Sequence, residues 1–497
     1  MVIKTIISEF VAKNIEMRNK KLKLISKQVW ASKIKNSSTL WLIGIFNVLL
    51  LFALFSGYKN LVNQQETVEH YSHEVRERWE NRPDKHPHRM AHYGYVAFRN
   101  RFPLSFFDFG MDSYVGNAVF LEAHKQNTVN FSEASISNGL LRFGEISAGM
   151  ILQLLLPLLI FFWGFDLVAR EREQGTLRIL LTQGVSWAEL ILGKSLGLFA
   201  LALSIFIPSI IIGLILLIFN VFTPENPQSY LRFFFLIISY LAYFFILSVL
   251  AILVSAKAKS SKSALTSLIG FWLFFTLILP KVSQVVGQSL FPSPSKIEFD
   301  TKVEQKLIKQ GDSHNPNDPH FKALKDSLLT TYKVDSTHKL PFNYSGYVMR
   351  EGEKLSAETY KKHQAVLVKI YKKQQNVVRF TAFLNPYMAI KNLSMALSGT
   401  DYSAYNDFQN QAEDFRYKLA QTMNELQIKY IANKVKSSAD KKAIISSKNW
   451  KDLPDFHHQF LNLGMVLKNE IVSIISLILW IMVVLGIATN SRIEYFV

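Results

Sequence analysis

Residues 146–222 read ISAGMILQLLLPLLIFFWGFDLVAREREQGTLRILLTQGVSWAELILGKSLGLFALALSIFIPSIIIGLILLIFNVF: two apolar stretches, 146–169 and 196–222, either side of a charged, glycine-broken turn. A helix needs about 20 apolar residues to cross about 30 Å of hydrocarbon, and both stretches have them. Outward from this pair the pattern recurs, with nearly uncharged runs at 40–57, 233–256, 263–280 and 471–489, so that six runs of 18 to 27 residues punctuate the chain. A soluble fold would have to bury such runs all round, and the segments between them are highly polar. A soluble globular protein is therefore excluded, and the expected fold is an all-α polytopic membrane protein with six transmembrane helices. Composition agrees: of 497 residues, 49% are apolar and only 19% charged.

The net charge of +18 is unevenly placed. Residues 1–39 carry 9 Lys/Arg against 2 acids, 58–144 carry 10 against 10, and 282–466 carry 26 against 18. Basic residues near short loops stay in the cytoplasm, whereas long loops cross regardless of charge. The basic arm, Arg170, Arg172 and Arg178, and the hinge Lys257, Lys259 and Lys262 are thereby assigned to the cytoplasm, in the inner membrane, with both termini inside. The expected organisation is a cytoplasmic amphipathic helix over 1–39 and spans at 40–57, 145–169, 195–222, 233–256, 263–281 and 467–489. A cytoplasmic turn occupies 170–194, extracytoplasmic domains occupy 58–144 and 282–466, and a cytoplasmic tail occupies 490–497.

In the arm, Ile3, Ile6, Ile7, Phe10 and Val11, then Leu22, Ile25 and Val29, recur at helical spacing among lysines. The expectation is an interfacial helix on anionic membrane lipid. The second large loop is expected to be mainly helical, with seams at Phe408, Ala412, Phe415, Leu419, Met423 and Leu426, and at Tyr360, His363, Leu367, Ile370 and Gln374. The absence of cysteine rules out disulfides, thiolate zinc sites and a thiol nucleophile.

In the turn, alternating Arg170, Glu171, Arg172 and Glu173 lead to Gly175; a short helix restarts at Thr176 and Leu177 and ends at Gly184. The string EREQGTLRILL, followed by QG and GK, resembles the signature of the type-2 permeases of ATP-binding-cassette transporters. Three further strings extend the resemblance to the uncharacterised subfamily with two large outer loops: FFDFGMDSYVGNAVFLEAHKQN (106–127), RFGEISAGMILQLLLPLLI (142–160) and LNPYMAIKNLSMALSGTDYSAYNDF (384–408). The resemblance implies a dimer of permeases, identical or paralogous, on two ATPase subunits. Residues 170–177 would then form the coupling helix, with Glu171, Glu173, Gly175 and Thr176 starting the contact, so that Glu171→Lys should uncouple hydrolysis with assembly intact. No cofactor is expected in this chain: ATP and Mg belong to the ATPase, and AELILGKS (188–195), though it fits a loose phosphate-loop pattern, reads as helix. No nucleic-acid partner is expected.

Within the spans, Asn47 and Gln153 are candidate pathway residues, Asp166 is placed to pair with Arg170, and Pro157 and Pro208 are candidate kinks. All twelve histidines fall in the two large loops. His88 and His92 are one helical turn apart, and His86 and His124 are possible companions, but no acid-rich or cysteine cluster accompanies them. They are expected to be structural or surface histidines, not a metal site. The function expected is a permease subunit moving a substrate with a separate ATPase; the alternative is a mechanotransmitter acting on an envelope partner. A membrane-anchored metal hydrolase would require the histidines to converge.

Overall fold

The computed structural model describes residues 2–126, 146–219, 227–311, 313, 315, 317–433 and 443–490, with side chains from Glu16 onward. The tail from 491, the start of the RFGEISAG string and His314 lie outside the described residues. Helices α1 (Val2–Ile34) and α2 (Ser37–Glu80) are separated by a short turn in which the Asn36 side chain accepts from the Ser38 amide at 2.9 Å. Next come α3 (Pro87–His92) and the strands β1 (Tyr95–Phe98) and β2 (Ala118–Leu121), which pair antiparallel with Tyr95 opposite Leu121. The membrane bundle continues with α4 (Ala148–Glu173), α5 (Thr176–Thr182), α6 (Trp187–Ile218), α7 (Pro227–Lys257) and α8 (Ser261–Leu290). A polar helical domain follows: α9 (Lys296–Gln310), α10 (Pro319–Thr331), α11 (Tyr344–Phe380), α12 (Pro386–Ser398) and α13 (Tyr402–Tyr430). The short α14 (Leu463–Asn469) then leads into α15 (Ile471–Asn490).

Six of these helices, α2, α4, α6, α7, α8 and α15, are long and apolar enough to cross a membrane. The chain is an all-α polytopic membrane protein. Its helices do not stop where the apolar runs stop. At 44 residues, α2 is about 66 Å long, twice a hydrocarbon core, and α8 continues to Leu290.

Prolines shape the bundle, and each leaves a carbonyl that a neighbouring helix answers. Pro157 has no N–H for the Gln153 carbonyl four residues back; a π turn over Ile151–Leu155 widens α4 there, and the Tyr243 hydroxyl donates to that carbonyl at 3.2 Å. Pro280 follows a second π turn, Phe274–Ile278, where Asn385 Nδ2 donates to the Phe275 carbonyl. In α6, Pro208 frees the Ser204 carbonyl, and Asn47 Nδ2 approaches it at 3.5 Å. A buried carbonyl without a donor costs several kcal/mol in lipid, so these side chains make the prolines tolerable.

The described residues form two apolar cores. The first fills the bundle; the second joins Trp79 at the far end of α2 to Met90, Ala97, Val119, Leu121, Phe408, Ala412, Met423 and Trp450. The helical seam of α13 thus packs against α3 and the strand pair, and the end of α2 is fixed inside the polar domain. At the opposite end of the bundle, α1 lies along α6. Gly193 and Gly197 open a notch there: a Cβ at Gly197 would meet Ser26 O and Val29 Cβ at 2.7 Å.

Candidate coupling turn and bundle plug

The turn between α4 and α6 is built by two glycines. Gly175 at φ +74° and Gly184 at φ +81° take the left-handed backbone that residues with a Cβ avoid, and between them α5 stands away from both spans. Ser186 and Glu189 then form a reciprocal capping box that restarts the chain as α6. Residues 188–195, the phosphate-loop look-alike, lie in the first turns of α6, the Glu189 amide bound to the Ser186 side chain and the amides from Leu190 onward engaged in the helix.

Charged side chains of the turn are tied to different helices. Glu171 pairs with the buried Lys194 of α6, which also donates to the Leu167 carbonyl. The Arg172 guanidinium donates to the carbonyls of Ala256 and Ala258 at the end of α7. Glu173 accepts from the amide and hydroxyl of Ser261, both at 2.8 Å, and so caps α8. Asp166 binds Arg170 and, from α1, Lys33, both at 3.1 Å, while Lys21 donates to the Gly184 carbonyl at 2.7 Å. Leu177 is buried. Exposed on the tip are Gly175, Thr176, Arg178, Thr182, Gln183 and Ile179, the last 56% accessible. Arg170 and Glu173 are exposed as well, but each is tied by its side chain to the bundle, whereas the tip beyond Gly175 carries Arg178 as its one charge.

At the other end of the bundle, the loop between β1 and β2 enters between the helices. Arg99 and Arg101 hold the loop base by ion pairs to Asp112 at 2.9 and 3.5 Å, all three buried. Two glycines admit the loop tip, since a Cβ at Gly57 would strike Phe106 O at 2.4 Å and one at Gly149 would strike Asp108 Cγ at 2.7 Å. Asp108 Oδ2 accepts from Gln153 Nε2 at 2.9 Å and from Ser394 Oγ of α12, and Oδ1 accepts from the Gly110 amide at 3.1 Å. Gln153 also donates to the Tyr240 hydroxyl at 2.8 Å. Full burial pushes the Asp108 carboxyl up from its ordinary value, against the hydrogen bonds from Ser394 and Gln153. The three strings around 106–127, 142–160 and 384–408 thus meet at one carboxylate.

Residues 117–293, which include the turn and α4 to α8, match the family model described as ABC-2 family transporter protein. Over these residues the chain is of the ABC-2 permease type. A second model, described as a domain of unknown function, DUF3526, matches residues 296–459 and so covers α9 to α13 of the permease. "Probable ABC transporter permease protein NosY" of Pseudomonas aeruginosa is 29% identical over 163 residues, which are 29% of this chain and 58% of that protein. The permease therefore spans somewhat more than half the length of this relative.

The two pathway candidates occupy structural positions in the permease. Gln153 is consumed by Asp108 and Tyr240, and Asn47 faces Ser204 across the contact of α2 with α6. Among the four histidines singled out, His86 caps α3, its Nδ1 accepting from the His88 amide at 3.2 Å, and burial lowers its proton affinity. His88, His92 and His124 converge, which spacing alone did not require. Sequence reading missed Asp108, Ser394, Tyr240, Lys194 and Glu353 as individual residues. For Asp108 and Ser394 the available signal was their place in the resembling strings.

Proposed function

We propose that this permease is one membrane subunit of an ATP-driven complex in which a separate ATPase seats on α5 and a second permease, identical or paralogous, completes the dimer. The supporting observation is the turn itself: one exposed helix, set off by two left-handed glycines, with side-chain ties to α1, α6, α7 and α8. A push on α5 reaches four helices at once. ATP and Mg belong to the ATPase, the turn and both termini lie on its cytoplasmic side, and the polar domain faces outward from the inner membrane. Because the chain has no cysteine, a single Ile179→Cys or Thr182→Cys change gives an unambiguous cross-linking probe. In native membranes it should trap an ATPase subunit; trapping only lipid-embedded proteins would refute the seat.

The stroke can move a substrate or move the outer domain against an envelope partner. The second reading is favoured by α2, a single helix that starts beside α1 and ends at Trp79 in the polar-domain core. It is favoured further by Asp108, which closes the bundle end with a fully hydrogen-bonded loop. Gln153, one of the two pathway candidates, has its side chain engaged by Asp108 and Tyr240.

A further inference from the structure

We propose that His88, His92 and His124 form a binding site for a divalent transition cation of the zinc class, with Glu353 as a positioning residue. Proline at the first turn and the His86 cap start α3 so that His88 and His92, four residues apart, share a face. Their Nε2 atoms are 3.3 Å apart. Zinc–nitrogen bonds of about 2.0–2.1 Å in a tetrahedron place neighbouring ligand nitrogens about 3.3 Å from each other.

His124 arrives from the end of β2. Its ring centre lies 5.5 Å from that of His88 and 5.4 Å from that of His92, and one nitrogen from each of the three rings falls within 4.8 Å of the others. The His124 backbone sits at φ +62°, in the left-handed region where non-glycine residues are rare, so the chain holds this ring in place at a conformational cost. Glu353 Oε2 lies 2.9 Å from His124 Nδ1 and accepts from the His124 amide at 3.0 Å. That contact fixes the proton on Nδ1 and leaves Nε2 as the donor atom, the carboxylate–histidine–metal arrangement that orients metal-binding imidazoles. Glu353 is itself fully buried and held by Arg416 Nη1 at 2.7 Å.

The donor set selects the cation class. Among the described residues the ligand set is three imidazoles, which disfavours the oxygen-seeking Ca²⁺ and Mg²⁺, and a chain without cysteine offers no thiolate alternative. The cation joins α3 to the end of β2 and, through Glu353 and Arg416, to α11 and α13. It is a clasp in a domain that has no disulfide, and it stands whether or not the transport reading holds.

The test uses the full chain in detergent, stripped with chelator and titrated with ZnCl₂ against a competing chelator. One Zn²⁺ per chain at submicromolar Kd is expected, with at least a tenfold loss in Glu353→Gln and abolition in the His88→Ala/His92→Ala double variant. Zinc should raise the Tm of the wild type and leave that of the double variant unchanged. The wild type loaded with Co²⁺ should show the intense visible bands of a tetrahedral site, a readout independent of whether any variant folds. Affinity weaker than about 0.1 mM, octahedral cobalt bands, or binding that survives the double variant would each overturn the site.

Discussion

At the residue scale, Asp108 is the side chain on which the outer end of the bundle depends, because it is the common acceptor for α4, α12 and its own loop. Asp108→Ala leaves Ser394 and the Gly110 amide without their acceptor and Gln153 with only Tyr240, and unsatisfied buried groups cost about 1–3 kcal/mol each, so a loss of roughly 2–6 kcal/mol is expected. Asp108→Asn should cost less, since its amide satisfies some of the donors while its NH₂ faces another. Thermal unfolding in detergent gives the order, and an Asn variant worse than Ala would show that the hydrogen bonds do not hold the loop. His458 supplies a pH dependence. Burial pushes it down to about 4, helped by the charge of Arg99, while its ring packs on Phe408 and Phe460. The unfolded chain binds this proton near pH 6.5 and the folded chain does not, so stability is full above about 6.5 and falls as pH drops toward 4. His458→Gln should flatten the Tm profile over that window.

At the element scale, α5 separates the sequence expectation from the geometry. Glu171→Lys places a second lysine against buried Lys194, so it is now expected to disturb the turn itself and reduce the yield of folded permease. Ile179→Asp changes an exposed tip residue; it should leave expression unchanged and stability within about 0.5 kcal/mol of wild type while weakening ATPase co-purification. Equal effects of the two changes would mean that the turn has no division between ties and seat. The contact of α1 with α6 has its own probe. Gly197→Leu drives a side chain into Ser26 O and Val29 Cβ, a forced overpacking that costs about 1–3 kcal/mol, and it should free α1 for limited proteolysis at its lysines. The lysine-rich arm was expected to lie on lipid; the structure gives it a seat on the chain's own α6, where two glycines let backbones approach closely.

At the scale of the whole molecule, α2 is the member that distinguishes pulling from pumping. A flexible Gly-Ser insertion after Asn63, between the bundle and the polar-domain core, interrupts the helix without touching α5 or the spans. Under the transmission reading, ATPase activity persists while the ATP-dependent change in the polar domain, followed by a fluorescence label on α13, disappears. If that change survives the insertion, α2 is not the lever.

The sequence by itself determined the six helices, the turn and the family, because a hydrocarbon core accepts only long apolar helices and because glycines and alternating charges punctuate a turn locally. Strand-poor architecture and the α13 seam were legible for the same reason: period and composition are properties of adjacent residues. The strand pair escaped notice because four residues such as Tyr95–Phe98 carry too little pattern, and their pairing with Ala118–Leu121 depends on what the loop between them reaches. Only the tertiary structure gave the partners of Asn47 and Gln153, since a polar residue in a span looks the same whether it lines a pore, approaches a carbonyl freed by a proline, as Asn47 does, or donates to a buried carboxylate, as Gln153 does. The same holds for the histidines. His88 and His92 share a helix face by spacing, but His124 joins them only because Glu353, more than 200 residues away along the chain, holds its ring, and convergence over such separations is a property of packing that no local pattern encodes.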